Sequence, residues 1–224
     1  MPYSLDHSCY FYHVPRCAGT SVECTIPDMR KGAHHHGRQK QHMTYVDLKN
    51  ARKRAKGRFK AQLDFPPEYE GMFKFALVRN PWSRLFSIFT HIHQRDDGLD
   101  FSTWVRWQCQ LVKNNYPKND KDYQSKFWLN NLDKTHIAPM YRYKDNVPDL
   151  VVYKFEDLLS SWDAITTRIG LENTPLKRTR KNGYRRMKGK FPEHYSYYYN
   201  DEDVEWVKKC YHMDIETFEY EYLN

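Results

Sequence analysis

The chain has 224 residues, and its 36 Lys and Arg outnumber its 28 Asp and Glu, which gives a formal net charge of +8. This length predicts a single α/β domain over residues 1–224, and the positive surplus favours anionic ligands. No apolar run approaches the ~20 residues that span a bilayer, and five cysteines without a C-x-x-C spacing argue against a disulfide scaffold and favour a reducing compartment.

The first predicted strand, residues 9–14, leads into a turn over residues 15–21 and a short helix over residues 20–25. The unpaired amides and the positive dipole end of a helix start attract anions. In this turn Gly19 lets the backbone approach a phosphate, the Thr and Ser that follow offer hydroxyls, and Arg16 offers a fixed cation. The turn is therefore a candidate phosphate loop, whose residues are Arg16, Cys17, Ala18, Gly19, Thr20 and Ser21.

A second motif of the same kind follows a polar connection over residues 27–41 and a basic amphipathic helix over residues 45–56. A strand over residues 73–78 ends next to Arg79, and a helix starts at Pro81, where a first turn tolerates proline. Ser87 falls within that helix. Because ligands bind at the carboxyl ends of parallel strands, two such motifs suit a ligand with two separated phosphate groups.

The rest of the chain predicts further helices and one more strand. A helix over residues 101–112 carries Trp104, Val105, Gln108 and Leu111 on one face. A solvated loop over 114–122, a helix over 124–132, a strand over 151–155 and a helix that ends at Ile169 before Gly170 follow in order. A basic run over 177–190 precedes the last helix, which starts near Asn200 with acidic residues in its first turn.

The two motifs resemble those of the sulfotransferases that use 3′-phosphoadenosine 5′-phosphosulfate (PAPS), in the branch of the Golgi carbohydrate sulfotransferases and their soluble bacterial and viral relatives. In that family a Pro-Lys-x-x-Gly-Thr-Ser loop binds the 5′-phosphosulfate, and here the loop reads Pro15-Arg-Cys-Ala-Gly-Thr-Ser21. An Arg-[Asn/Asp]-Pro-x-x-Arg-x-x-Ser segment binds the 3′-phosphate through its first Arg and its Ser, which correspond to Arg79 and Ser87, with Arg84 as the internal arginine. The resemblance spreads from residue 9 to residue 222. It implies a P-loop-NTPase-like, three-layer α/β fold with a central, mainly parallel sheet flanked by helices.

The resemblance also implies catalytic residues. His42 matches the His-[small or apolar]-[Ser/Thr] segment of carbohydrate 2-O-sulfotransferases, where the histidine is the proposed base, and histidine titrates near neutrality. The alternative is that His42 is a surface residue before a helix, and Glu23 is a second candidate base. Arg16 stands where the family has lysine. It keeps the charge that stabilises the leaving phosphate, but it gives up a proton much less readily.

Several other residues have two interpretations. Tyr184 would stack on adenine if the basic run is the family's late loop over the nucleotide; otherwise the run is solvated, or contacts an anionic acceptor or nucleic acid. The run His34–His36 suits structural or substrate contacts better than a metal site, since no Asp, Glu or Cys pattern accompanies it, and we expect no metal.

His13 either contacts the ligand or is hydrogen-bonded near the core. Cys17 could be an activated thiolate, although no His-and-carboxylate pattern supports a nucleophile.

These observations predict an enzyme that moves a sulfuryl group from PAPS to an acceptor hydroxyl of a carbohydrate, by in-line attack with a histidine base. A P-loop kinase or NTPase is the alternative enzyme, but the Gly-x-x-x-x-Gly-Lys-[Ser/Thr] pattern is absent. A basic nucleic-acid-binding module formed by residues 30–60 and 177–190 would leave both phosphate motifs unexplained. Because no signal-like segment is recognised, we expect a soluble cytoplasmic enzyme, with a trimmed Golgi-lumen catalytic domain as the alternative.

Overall fold

The computed structural model describes residues 2–31, 49–50, 53, 65–92, 100–113, 136–144, 147–178 and 194–223. The chain divides into two compact units. The first unit combines Met1–Val78 with Arg142–Thr179, and the second combines Arg79–Tyr141 with Arg180–Asn224. The single domain over residues 1–224 stays a prediction.

The described strands are β1 (Pro2–Ser4), β2 (Cys9–Tyr12), β3 (Arg30–Lys31), β4 (Phe73–Val78) and β5 (Val151–Lys154). The described helices are α1 (Gly19–Thr25), α2 (Pro81–Ile92), α3 (Phe101–Lys113), α4 (Leu158–Arg168), α5 (Asp201–Cys210) and α6 (His212–Phe218). Short 3₁₀ turns occupy Tyr69–Gly71, Met140–Tyr143 and Tyr195–Tyr198.

In the first unit the five strands form one sheet in the order β3-β1-β2-β4-β5. The strands β2, β4 and β5 are parallel, whereas β1 pairs antiparallel with both β2 and β3. Sequence patterns do not predict β1 and β3, because strands of three and two residues are too short to show a period. The α/β class and the mainly parallel central sheet flanked by helices are confirmed, consistent with the P-loop-like fold that the resemblance implies.

The core of the first unit is centred on β2 and β4, because both strands are built almost entirely from apolar and aromatic residues. All four residues of β2 are buried, and the ring of Phe11 lies 4.9 Å from that of Phe75 in β4. Lys74 of β4 is also buried. Its ammonium group donates to the carbonyl oxygen of Glu70 at 3.0 Å, which supplies the partner that a buried cation needs.

The second unit is built from α2, α3, α5 and α6, whose apolar faces form its core. The predicted face of α3 is confirmed, since Trp104, Val105, Gln108 and Leu111 are all buried. The helix α5 starts as predicted after Asn200, whose side-chain oxygen accepts from the amide of Asp203 at 2.9 Å. A break at Tyr211 separates α5 from α6.

Two of the remaining predicted elements are described in full, one is described in part, and two lie outside the described residues. The strand β4 has the predicted limits, and α4 ends before Gly170, whose φ of +68° is the left-handed conformation that terminates a helix. Of the basic helix over residues 45–56, residues 49, 50 and 53 are described, and all three are helical. The loop over 114–122 and the helix over 124–132 lie outside the described residues. Within the described ranges, every helix is too short or too polar to cross a membrane.

Candidate functional site

The loop over residues 15–21 has an unusual backbone conformation. The φ angle is +66° at Arg16 and +60° at Ala18, in the left-handed region that residues with a Cβ seldom adopt. Conformations of this kind are costly, and they are concentrated at functional sites. Ala18 is also the N-cap of α1, and its carbonyl oxygen accepts from the amides of Ser21 at 2.9 Å and Val22 at 3.3 Å. The surroundings of the loop must therefore offset the cost of its shape.

The side chains of the loop differ in their access to solvent. Cys17 is fully buried, and its Sγ lies 3.6 Å from the carbonyl oxygen of Pro15. Its contribution to an anion site is therefore confined to its backbone, and the burial argues against an activated thiolate. Thr20 is exposed, and Arg16 and Ser21 are half-buried. These three residues are the polar side chains of the loop that are open to solvent.

A histidine and a glutamate on either side of the loop form a buried pair. His13 follows β2 directly, and its Nδ1 donates a hydrogen bond to Oε1 of Glu23 on α1. The two side chains are 7% and 10% exposed. Of the two interpretations of His13, the structure shows the hydrogen-bonded one. The carboxylate of Glu23, the second candidate base, is engaged by this imidazole.

The ring of His13 gives a reason for glycine at position 19. A Cβ added to Gly19 would lie 2.2 Å from Nε2 and 2.3 Å from Cδ2 of His13, well inside van der Waals contact. The sequence predicts that Gly19 lets the backbone approach a phosphate, which stays a prediction; the structure adds a second reason for glycine, since the imidazole occupies the space that a side chain would take. Sequence reasoning did not connect His13 with Gly19, because no local pattern links the residue after a strand to the start of a helix six residues later.

The second motif forms the start of α2. The side-chain oxygen of Asn80 accepts from the amides of Trp82 at 3.1 Å and Ser83 at 3.4 Å, as an N-cap residue does. Its side-chain nitrogen donates to the carbonyl oxygen of Glu221 at 2.7 Å. Pro81 is the first helical residue, as predicted. Asn80 therefore supplies the cap, which leaves the neighbouring arginine side chain for other contacts.

Arg79 is held by two contacts of its own. Its Nε donates to the hydroxyl of Ser83 at 2.9 Å, and its backbone amide donates to the sulfur of Met140 at 3.4 Å. Ser83 is buried, whereas Arg79 and Ser87 are half-buried. Ser83 and Ser87 lie four residues apart on α2 and so share a face of the helix. Sequence reasoning missed Ser83, although its position four residues after Arg79 was a possible signal.

The internal arginine of the motif has a structural role. Arg84 is 2% exposed, and its guanidinium donates to the carbonyl oxygens of Ala138 at 3.0 Å and His136 at 2.7 Å. Asp214 of α6 is fully buried and accepts from the amides of Met140 at 2.9 Å and Tyr141 at 2.8 Å. The side chains of Arg84 and Asp214 together bind the segment over residues 136–141, which places the Met140 sulfur against Arg79.

Burial raises the pKa of the Asp214 carboxyl from 3.8 to about 6, because the hydrogen bonds from Met140 and Tyr141 and the charge of Arg84 offset only part of the desolvation. Between these values the folded chain holds a proton that the unfolded chain has released. This contribution to stability is therefore present below pH 4 and is lost as the pH rises through 6. We expect a loss of up to about 3 kcal/mol in the free energy of unfolding.

Urea denaturation of the wild type and of Asp214→Asn between pH 4 and pH 7.5 measures this effect. Between pH 4 and pH 7.5 the unfolding free energy of the wild type should fall relative to that of Asp214→Asn, because the asparagine side chain has no proton to lose. Asp163→Asn, on the exposed side of α4, should follow the wild type. Parallel pH profiles for the wild type and Asp214→Asn would contradict the prediction.

The strands before the two motifs are neighbours in the sheet. In the first unit β2 and β4 pair in parallel, with Tyr12 opposite Ala76, so their carboxyl ends lie at the same edge. The phosphate loop follows β2 after two residues, and Arg79 is the residue after the last one of β4. The two strands are thus parallel neighbours within the first unit, and each candidate motif follows its strand along the chain.

Three of the predicted sites lie outside the described residues: His42, the run His34–His36 and Tyr184. Within the described part of the chain, no group of three or more His, Cys, Asp and Glu is arranged to hold a metal ion. The five cysteines, at 9, 17, 24, 109 and 210, all lie in the described part of the chain, and none of them forms a disulfide.

Comparison with known proteins agrees with the two motifs. A family model described as the sulfotransferase family matches residues 3–221, which is nearly the whole chain. Neither a curated protein nor a solved structure matches the chain. The match includes both strands, both motifs and the carboxyl-terminal helices. The chain belongs to the sulfotransferase family, whose members transfer sulfuryl groups.

Proposed function

We propose that this sulfotransferase takes its sulfuryl group from PAPS and transfers it to a hydroxyl of a carbohydrate. The observation that carries the proposal is the family match over residues 3–221, with one phosphate motif after each of two neighbouring parallel strands. A donor with one phosphate group at its 5′ position and another at its 3′ position suits two separate anion motifs.

The proposed transfer is an in-line displacement at sulfur. A bond forms between the acceptor oxygen and the sulfur, and the bond from the sulfur to the bridging oxygen of the 5′-phosphate breaks. The acceptor proton passes to His42, and the electron pair of the broken bond stays on the phosphate. Arg16 stabilises the charge that develops there, and no metal takes part. Positioning and electrostatics supply most of the catalysis in transfers of this kind.

The two motifs have separate tasks in this proposal. The loop of Arg16, Cys17, Ala18, Gly19, Thr20 and Ser21 binds the 5′-phosphosulfate, through its backbone and its accessible polar side chains. Arg79 and Ser87 bind the 3′-phosphate. The hydrogen bond from Arg79 Nε to Ser83 fixes the direction of the guanidinium, and a fixed fork of donors suits a phosphate.

We assign adenine stacking to Tyr184, in the basic run that would close over the nucleotide. One contact at the start of that run supports the assignment. The amide of Lys177 donates to the hydroxyl of Thr25 at 2.8 Å, so the run starts beside α1, the helix that continues from the phosphate loop. This contact supports the proposal, because a cationic segment that starts there would attract the phosphate groups of a nucleotide bound at the loop.

Calorimetry with adenosine 3′,5′-bisphosphate tests the nucleotide assignment. We expect sub-millimolar binding to the wild type and a loss of about 10- to 100-fold in Arg79→Ala, since a charge-assisted hydrogen bond contributes roughly 1.5–3 kcal/mol. Ser83→Ala should show a smaller loss, because the arginine remains but is less well oriented. Lys208→Ala, which removes an exposed cation from α5, should bind as the wild type does.

The same titration with ATP and magnesium separates PAPS from the alternative donor. A preference for ATP, or equal affinity of Arg79→Ala and the wild type for the bisphosphate, would contradict the proposal. The acceptor is tested by supplying PAPS with labelled sulfate to glycans, phenols and lipids. Labelling of glycans is expected, and labelling confined to the other two classes would replace the carbohydrate assignment.

A further inference from the structure

We infer that His13 and Glu23 are positioning residues of the phosphate loop: their pair holds the loop in the shape that binds the 5′-phosphate of the donor. The inference rests on the proposed function, since it concerns a loop proposed to bind that phosphate. It assigns a role to two residues that do not belong to either motif.

The first observation is the position of the pair along the chain. His13 lies two residues before the loop and Glu23 two residues after it, and the hydrogen bond from Nδ1 to Oε1 joins these flanks. Both side chains are almost completely buried. A buried carboxylate without a partner is strongly disfavoured, so the pair resists separation. The contact therefore fixes the distance between the end of β2 and α1, and with it the span that the loop must cover.

The second observation is the contact between the imidazole and the loop itself. The Nε2, Cδ2 and Cε1 atoms of His13 would lie 2.2, 2.3 and 2.6 Å from a Cβ at Gly19. The ring thus rests against the backbone in the middle of the motif, where glycine alone leaves room for it. Glu23 holds the ring, and the ring supports the loop.

The third observation is that the loop needs support. Arg16 and Ala18, on either side of the fully buried Cys17, both have positive φ angles. Such a backbone persists when its surroundings over-determine it. A loop held in its binding shape before the ligand arrives binds more tightly, because the ordering cost is already met within the fold.

A pair of nucleotides isolates this effect. The affinity ratio between adenosine 3′,5′-bisphosphate and adenosine 3′-monophosphate measures the contribution of the 5′-phosphate. We expect Glu23→Ala to lower this ratio at least tenfold while its affinity for the 3′-monophosphate stays at the wild-type level. Glu23→Gln keeps an oxygen that can accept from Nδ1, and its ratio should remain within threefold of the wild type. Glu172→Ala removes an exposed glutamate and should leave the ratio unchanged.

A double substitution tests the contact with Gly19. Gly19→Ala should lower the melting temperature, because the new Cβ overlaps the imidazole. Gly19→Ala should lower the melting temperature less in a His13→Ala background than in the wild type, because the overlap is absent there, while the affinity ratio of the double variant stays low because the support is lost. An equal fall of the melting temperature in the two backgrounds, or a double variant with the wild-type ratio, would overturn the inference.

The outcomes distinguish this inference from the proposed function. A wild-type chain that binds neither nucleotide refutes the proposed function. A wild-type chain that binds the bisphosphate, together with an unchanged ratio in Glu23→Ala, refutes the role of the pair alone.

Discussion

Replacing His42 with alanine is expected to lower turnover by about 10²- to 10⁴-fold, which is the usual contribution of a general base. The acceptor hydroxyl must lose its proton as its oxygen bonds to sulfur, and imidazole is the side chain that accepts a proton most readily near neutral pH. Because this proton transfer belongs to the chemical step, the affinity for adenosine 3′,5′-bisphosphate should stay nearly unchanged. Turnover is measured with labelled PAPS and affinity by calorimetry.

A matched control separates the base from a general effect of losing a histidine. His194→Ala removes an exposed imidazole whose Nδ1 lies 2.7 Å from the hydroxyl of Ser196, and it should leave turnover unchanged. His42→Ala with full activity would remove His42 from the role of base. A parallel loss of nucleotide affinity in His42→Ala would show that the residue supports donor binding instead.

Arg16→Ala is expected to lower turnover by about 10²- to 10³-fold, the size of effect seen when one preorganised group that stabilises developing charge is removed. The negative charge on the phosphate oxygen grows as its bond to sulfur breaks, so the guanidinium acts more strongly in the transition state than in the ground state. Bisphosphate affinity should therefore fall less than turnover does. The same two measurements check this prediction.

Arg16→Lys tests which property of the side chain matters. Lysine restores the residue that the resembled family uses, and it keeps the charge in a smaller side chain. If charge is what the position supplies, Arg16→Lys should keep turnover within about tenfold of the wild type, far above Arg16→Ala. Equal losses in the two variants would show that the planar guanidinium itself is required, and wild-type turnover in both would exclude the role.

Local sequence patterns predicted the elements whose signals lie within a few residues. The strand β4 was predicted from a continuous apolar run, which is typical of a strand buried on both faces, and the face of α3 was predicted from a period of 3.6 residues. The short strands β1 and β3 were missed for the converse reason. Three and two residues carry no period, and their partners are set by hydrogen bonds to other segments.

The candidate site divides in the same way. The residues of the two motifs could be named from sequence, because each motif is continuous and follows an apolar strand. The roles of Ser83 and Asp214 could not. In the sequence, a serine on a helix and an aspartate near the end of the chain carry no signal. Their roles follow from contacts in the folded chain: Ser83 accepts from Arg79, and Asp214 accepts from the amides of residues 140 and 141.

The amino-acid sequence by itself determined the α/β class and the two candidate anion motifs, because each motif is a run of adjacent residues with its own chemistry. Only the tertiary structure decided that β2 and β4 are neighbours and that Arg84 donates hydrogen bonds to carbonyl oxygens. It also decided that the imidazole of His13 fills the space beside Gly19. Strand pairing and side-chain contact join residues that are separated along the chain. Burial and hydrogen bonding select those partners in the folded chain, so they cannot be predicted from a local sequence pattern.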